Sequence, residues 1–225
     1  MKKGLFITGT DTGVGKTLVT CAILRTMVAR HFPVFAAKPL ATGSEMQPDG
    51  SMRHPDVAQI SRALGGGTVW VGYESPHPAA PSLASRWEGK HLDVDGMARS
   101  LRAAVPADHV AVVEGAGGIL CPLAPGKTIA DFAASLELPV LVVAKRTLGT
   151  LNHTLLTLEA AQQRGLRVAG IVFNQTHPGN DPVEEAVAEE MARLTTVPVL
   201  AQVPFGDLSG KILENIHWPS LMAAG

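Results

Sequence analysis

Short, uniformly apolar runs alternate along the chain with longer stretches of helical periodicity. The runs are GLFITG (4–9), VFAAKP (34–39), HVAVVEG (109–115), PVLVVA (139–144), VAGIVFN (168–174) and VPVLAQVP (197–204), each bounded by turn residues. Strands this evenly apolar are buried on both faces, as in parallel sheets covered by helices. Helical patterns fall at about 16–30, 93–104, 128–137, 150–164 and 182–194. The alternation predicts one doubly wound α/β domain over residues 1–225, with a mostly parallel sheet flanked by helices. Ligands of such sheets sit at the carboxyl ends of the strands, so the functional residues should directly follow the apolar runs. Residues 40–90, rich in Pro, Gly and Ser, read as the irregular part, and long loops in compact domains are often functional.

Composition narrows the possibilities. Hydrophobic residues make up 46% of the chain and charged residues 17%, enough for a sizeable core and against disorder. A net charge of −1 without basic or acidic blocks argues against a nucleic-acid partner. The longest apolar runs, such as LPVLVVA, fall far short of a membrane span. The N-terminal MKKGLFITGT breaks at once into a polar glycine loop, so it reads as a first strand and not as a signal peptide. Cys21 and Cys121 share no short spacing, and two buried free thiols in a reducing cytoplasm are expected. The eight histidines show no metal-ligand spacing. Trp70, Trp87 and Trp218 are too far apart in sequence for a stacking platform and read as core or loop anchors.

Candidate chemistry starts at Gly9-Thr10-Asp11-Thr12-Gly13-Val14-Gly15-Lys16-Thr17, which follows a strand and opens a helix. Glycines let backbone N–H groups curl around phosphate oxygens, and the helix N-terminus adds partial positive charge. Lys16 would reach the β- and γ-phosphates and the Thr17 hydroxyl would ligate Mg2+. The usual loop has Gly, four residues, then Gly-Lys-Thr; here Thr10 stands six before Lys16 and Gly9 one earlier. A glycine turn before an ordinary helix is the bland alternative, against which strand, loop, Lys-Thr and apolar helix all agree. Glu114 ends a buried strand and is followed by Gly115, Gly117 and Gly118, where backbone can approach a ligand closely. It is either a metal-side carboxylate or a chance strand-end acid. Asp56, in RHPDVAQI, begins a helix, and composition alone does not separate a ligand from a plain first-turn acid. Lys38 closes the second run in AAKPLATGSE. A lysine there suits an anionic acceptor or charge that grows during transfer, although an isolated strand-end lysine is ordinarily solvated. Thr42, Gly43 and Ser44 then offer hydroxyls and amides.

Together GTDTGVGKT, KPLATGS, HPD, EGAGG, LGTLNHTLLT and VFNQ, in this order, resemble the dethiobiotin synthetases, the ATP-dependent ring-closing enzymes of biotin synthesis. The resemblance runs nearly the whole chain, and the Gly9 spacing is that family's own form of the loop. It implies a P-loop NTPase-like fold, an obligate homodimer, and the substrates 7,8-diaminononanoate, CO2 and Mg-ATP. It also implies a carbamate, a carbamic–phosphoric anhydride and closure of the ureido ring. Residue by residue, it assigns catalysis to Lys16, Lys38 and Thr12. ATP contacts fall to Gly13, Val14, Gly15, Lys16, Thr17, Leu18, Asp56, Glu114, Gly115, Ala116 and Gly117, and Mg2+ to Thr17, Asp56 and Glu114. Asn174, Gln175 and the loop Pro204-Phe205-Gly206 would lie on the base side. Thr42 would touch the diamine or its carbamate. Leu148, Gly149, Thr150, Leu151 and Asn152 open a helix whose amides, given by the neighbouring subunit, would take the substrate carboxylate. From the residues alone that stretch is also a plain capping segment. Gly13 stands where some relatives carry an acid that meets the nucleotide.

Three rivals remain. Switch ATPases that position septa or segregate plasmids share the fold, but they usually carry a second lysine where this chain has Asp11, Thr12 and Gly13. Their tails are often basic or amphipathic, and ENIHWPSLMAAG is neither basic nor convincingly amphipathic. Amide-forming ligases of larger acids typically add a glutamine-hydrolysing domain, for which 225 residues leave no room. Against a non-enzymatic nucleotide-binding module stands Lys38 with ATGS.

Overall fold

In the computed structural model, which describes residues 3–179 and 182–222, six strands form one all-parallel sheet. They are β1 (Gly4–Gly9), β2 (Val34–Ala37), β3 (Val110–Gly118), β4 (Val140–Lys145), β5 (Val168–Asn174) and β6 (Val199–Val203). Their order is β6-β5-β4-β1-β3-β2. The helices are α1 (Lys16–Ala29), α2 (Pro55–Ala63), α3 (Pro81–Trp87), α4 (Val94–Ala104), α5 (Ile129–Leu136), α6 (Thr150–Gln162), α7 (Pro182–Leu194) and α8 (Trp218–Leu221).

The evenly apolar runs are buried because both sheet faces are covered. On one face α1, α2 and the C-terminal segment bury Val19, Ile23, Leu24, Met27, Ile60 and Trp218 against Leu5, Ile7 and Val143. On the other, α4 to α7 bury Leu101, Phe132, Leu158 and Met191 against Phe6, Val113 and Val142. β-Branched side chains suit such strands, since their restricted χ1 packs well on a pleated surface. The C-terminal segment closes the α1 face: Trp218 Nε1 donates to Leu213 O at 3.1 Å, and Gly4 N donates to Met222 O at 2.9 Å.

The expected strands and long helices are found within a few residues of their bounds. The second run is the exception. Its ladder stops at Ala37, because Pro39 has no N–H to donate. Leu40–Thr42 instead pairs in parallel with Tyr73–Ser75. Residues 40–90 are accordingly not an irregular loop: they also hold the hairpin Glu45–Met46 with Met52–Arg53, α2 and α3. Trp70 anchors this region, accepting from Lys38 N at 2.9 Å and donating to Ala36 O at 3.0 Å. Trp87 is neither core nor anchor. It ends the short α3 with 56% of its surface exposed, and His77 meets its ring edge-on at 5.4 Å. Both cysteines are free, but only Cys21 is buried; Cys121 is half-buried because it follows the glycine-rich end of β3 beside a cavity. Among the described residues no helix is long and apolar enough to cross a membrane.

Candidate active site

The pairing of β1 with β3 sets the site. Gly4 to Ile7 run level with Ala111 to Glu114, and Gly9 then pairs with Gly118. Gly115, Ala116 and Gly117 therefore stand against Thr8 alone, so two residues are surplus and β3 bulges at the carboxyl edge, beside the loop that leaves β1. Close approach explains the glycines. A Cβ on Gly115 would lie 3.0 Å from Phe6 Cζ, and one on Gly118 3.2 Å from Thr10 O.

The loop Thr10–Gly15 is held from two sides. Gly13 and Gly15 adopt φ of 70° and 99°, left-handed values that favour glycine. A Cβ on Gly15 would sit 2.1 Å from Asn174 Nδ2, and that amide donates to Val14 O at 3.0 Å. The end of β5 thus braces the loop. Lys16 Nζ donates to Asp11 O at 2.9 Å. Burial, with repulsion from Lys38 second, pushes its pKa down to about 8. An arriving anion would relieve that penalty. No side chain caps α1 and its first turn carries no acid, so its leading amides and dipole face the loop uncompensated. α6 starts the same way, from left-handed Gly149 at φ 87° with no side-chain cap.

Beside the loop lies a buried charge cluster. Lys38 Nζ donates to Glu114 Oε1 at 2.6 Å and to Gly115 O at 3.2 Å, and it sits 3.2 Å from Asp56 Oδ2. Thr17 Oγ1 donates to the same Glu114 oxygen at 2.9 Å. Burial pulls the Lys38 pKa down, but Glu114 and Asp56 outweigh it and hold the ammonium above the ordinary lysine value. Burial likewise pushes the Asp56 carboxyl up, but Lys38, by charge and hydrogen bond, brings it below its ordinary value. Glu114 is fully buried, and its Oε2 has no hydrogen-bond partner among the described residues. An orphaned buried carboxylate oxygen is expensive. Together with the Thr17 hydroxyl and the Asp56 carboxylate it makes a hard oxygen donor set, which fits Mg2+ completed by phosphate oxygens and water.

A cavity of about 610 Å³ joins these parts. Thr12, Gly13, Gly15, Lys16, Thr17, Lys38, Thr42, Asp56, Glu114, Ala116 and Gly117 line it, all singled out from sequence. The structure adds Leu40, His54, Cys121 and the segment 78–81. His54 was signalled by the HPD stretch, whereas only proline content marked 78–81. Burial raises the Cys121 thiol pKa against the pull of Lys16.

Other expected residues lie outside this cavity. Val14 is fully buried beneath the loop, Leu18 is half-buried on α1, and Gly115 is buried in the bulge. Gln175 spends its side chain on neighbouring backbone and α7: Nε2 donates to Gly179 O at 2.6 Å and Glu184 Oε2 at 3.2 Å, and Oε1 accepts from Phe205 N at 3.2 Å. It thereby ties the Pro204-Phe205-Gly206 loop to α7. Leu148, Gly149, Thr150, Leu151 and Asn152 stand at the start of α6, with Leu148 79% exposed, and they are not brought to Thr42 within one chain.

A family model described as an AAA domain matches residues 3–211. The chain is 44% identical over 207 residues to the ATP-dependent dethiobiotin synthetase of Anaeromyxobacter dehalogenans (strain 2CP-C), covering 90% of each protein. It is 36% identical to the synthetase of that name from Yersinia pestis bv. Antiqua (strain Angola), over 91% of this chain and 86% of that one. For the same enzyme of Pseudescherichia vulneris the identity is 34%, over 100% of this chain and 94% of that one. Among solved structures, cobyrinic acid a,c-diamide synthase of Mycobacterium smegmatis, with bound ADP and magnesium, superposes with a TM-score of 0.53 at 17% identity, covering 95% of this chain and 91% of that one. Cell division protein FtsY of Thermotoga maritima gives a TM-score of 0.53 at 14% identity, covering 91% of this chain and 62% of that one. At these identities the last two show a shared fold alone.

Proposed function

The chain belongs to the ATP-dependent dethiobiotin synthetases, and from that premise we propose that it closes the ureido ring of dethiobiotin from 7,8-diaminononanoate, CO2 and Mg-ATP in biotin biosynthesis. The observation that carries the reading is the second buried lysine, Lys38, sharing a cavity with Lys16 and Thr42. A switch ATPase needs the phosphate loop but has no use for a cation between that loop and an acceptor pocket.

One substrate amine takes up CO2 and loses a proton, giving a carbamate. A carbamate oxygen attacks the γ-phosphorus and ADP leaves, giving the carbamic–phosphoric anhydride. The second amine then attacks the carbonyl carbon, loses a proton and expels phosphate, which closes the ring. The amides at the start of α1 and Lys16 hold the β- and γ-phosphates. Thr17, Asp56 and Glu114 would hold Mg2+, which when bound neutralises phosphate charge. Lys38 stabilises the carbamate and the charge on the phosphoryl group in flight; unit charges about 4 Å apart interact by about 4 kcal/mol at an effective dielectric near 20. Thr12 offers its hydroxyl at the same place, and Thr42 contacts the carbamate end of the diamine. Asn174 and Gln175, whose side chains brace the phosphate loop and the Pro204-Phe205-Gly206 loop, frame the base. The distal carboxylate is taken by the uncapped start of α6 from a second copy, which makes the enzyme a homodimer. A cytoplasmic location belongs to the same proposal and is supported by the two free thiols.

Phosphate release by the purified protein with ATP and Mg2+ tests this. Release should require both the diamine and bicarbonate and should match dethiobiotin formed. Equal release without the diamine would return the switch-ATPase reading.

A further inference from the structure

We infer that His54 is a positioning residue that locks the diamine-side loop to the metal-side helix, an inference that rests on the synthetase reading of this cavity. His54 is 8% exposed and lines the cavity. Its Nδ1 accepts from Asp56 N at 3.1 Å, capping α2. Its Nε2 lies 3.1 Å from Thr42 O. A carbonyl oxygen only accepts, so Nε2 carries the hydrogen, and Nδ1, which accepts, is bare. The two bonds together fix one neutral tautomer. One ring therefore joins the backbone of Thr42 to the first turn that carries Asp56, and Asp56 in turn sits 3.2 Å from Lys38 Nζ. Gly43 N and Ser44 N both donate to Ser75 O at 2.9 Å, so the loop is fixed on its far side as well.

A cap alone does not explain the residue. Asn, Asp, Ser and Thr are the favoured caps and reach one amide each. Histidine adds, on the edge of a rigid ring opposite the accepting Nδ1, a donor, and here that donor finds Thr42. Pro55 at the first helical position presets the backbone for the cap. A charged group stands beside the ring, with Asp56 Oδ2 3.9 Å from Nδ1.

Two variants separate the halves of this device. In His54→Asn the side-chain oxygen replaces Nδ1 and keeps the cap but cannot reach Thr42. In His54→Gln the amide nitrogen replaces Nε2 and keeps the Thr42 bond but caps poorly. His54→Asn should raise the diamine KM several-fold to about tenfold, the effect of one lost buried hydrogen bond, while Mn2+ affinity followed by electron paramagnetic resonance stays within about twofold. His54→Gln should do the reverse. Amide hydrogen exchange at Gly43 and Ser44 should quicken in His54→Asn and hold in His54→Gln. Identical behaviour of the two variants, or an unchanged diamine KM in a folded His54→Ala, overturns the inference. If the wild-type protein shows no diamine-dependent turnover, the synthetase reading falls, and the exchange and Mn2+ measurements still decide whether His54 couples the two loops.

Discussion

Lys38 pairs with two carboxylates, the fully buried Glu114 and the part-exposed Asp56, so its removal should act on both packing and chemistry. In Lys38→Ala the Glu114 carboxylate stays buried with only the Thr17 hydroxyl for a partner. Breaking such a pair costs on the order of 3–5 kcal/mol, so the variant should melt lower, and added Mg2+ should restore part of the loss. Turnover should fall roughly 10²–10³-fold, as for loss of one transition-state donor, while calorimetry in Mg2+ still detects ATP binding. A near-normal rate would take Lys38 out of the reaction. Gly15→Ala tests the loop. The new methyl would meet Asn174 Nδ2 at 2.1 Å on a backbone at φ 99°, and left-handed backbone alone costs roughly 1–2 kcal/mol. ATP affinity should drop sharply, and an unchanged value would mean that the end of β5 does not set the loop.

At the scale of elements, the helix starts divide into closed and open ones. α5 is closed: Asp131 Oδ2 accepts from Thr128 N at 2.7 Å and from Thr128 Oγ1 at 2.6 Å. α2 is closed by His54, whereas α1 and α6 are left open where anions are proposed to dock. A second closure holds the Tyr73–Ser75 strand against α3. Glu88 accepts from Tyr73 Oη at 3.0 Å and from Ser75 Oγ, and it pairs with Lys90 Nζ at 2.6 Å. The Lys90 hydrogen bond first, then that of Ser75, brings its carboxyl down to about 2 from 4.5. A depressed carboxyl stabilises the fold above its unfolded value and loses that contribution as pH falls toward the folded value. Glu88→Gln should therefore melt below the wild type at pH 7, and the gap should close between about pH 4.5 and 2. A gap that does not change with pH would show that Glu88 contributes by shape alone.

For the whole molecule, the strand order decides which groups meet. β1 lies between β3 and β4, so the chain switches direction across the sheet at β1, where doubly wound folds bind their ligands. Lys38 follows β2, Glu114 belongs to β3 and the phosphate loop follows β1, which gathers all three on one side of the switch. The start of α6 follows β4 on the other side. Exposed Leu148 and, on α6, Leu156 at 56% leave apolar surface there, where the proposed second copy would dock. Sedimentation should give twice the 23.6 kDa chain mass. Mixed dimers of Lys38→Ala chains with Gly149→Val chains should regain activity that neither parent has. No recovery would mean that α6 does not serve its neighbour's site.

The phosphate loop was legible in the sequence because its parts are contiguous, from Gly9 to Thr17, and the six strands because burial on both faces demands uniformly apolar runs. The pairing of Lys38 with Asp56 and Glu114 was not, since parallel strands of this composition admit many orders, and only the packed order sets side chains from β2, β3 and α2 within hydrogen-bonding reach. The short strands between residues 40 and 90 carry too few residues to establish a period, so local pattern could not reveal them. The same limit hid the work of His54 and Gln175. A side chain's type tells what bonds it can make, but its partners are fixed only when distant segments of chain are folded against it.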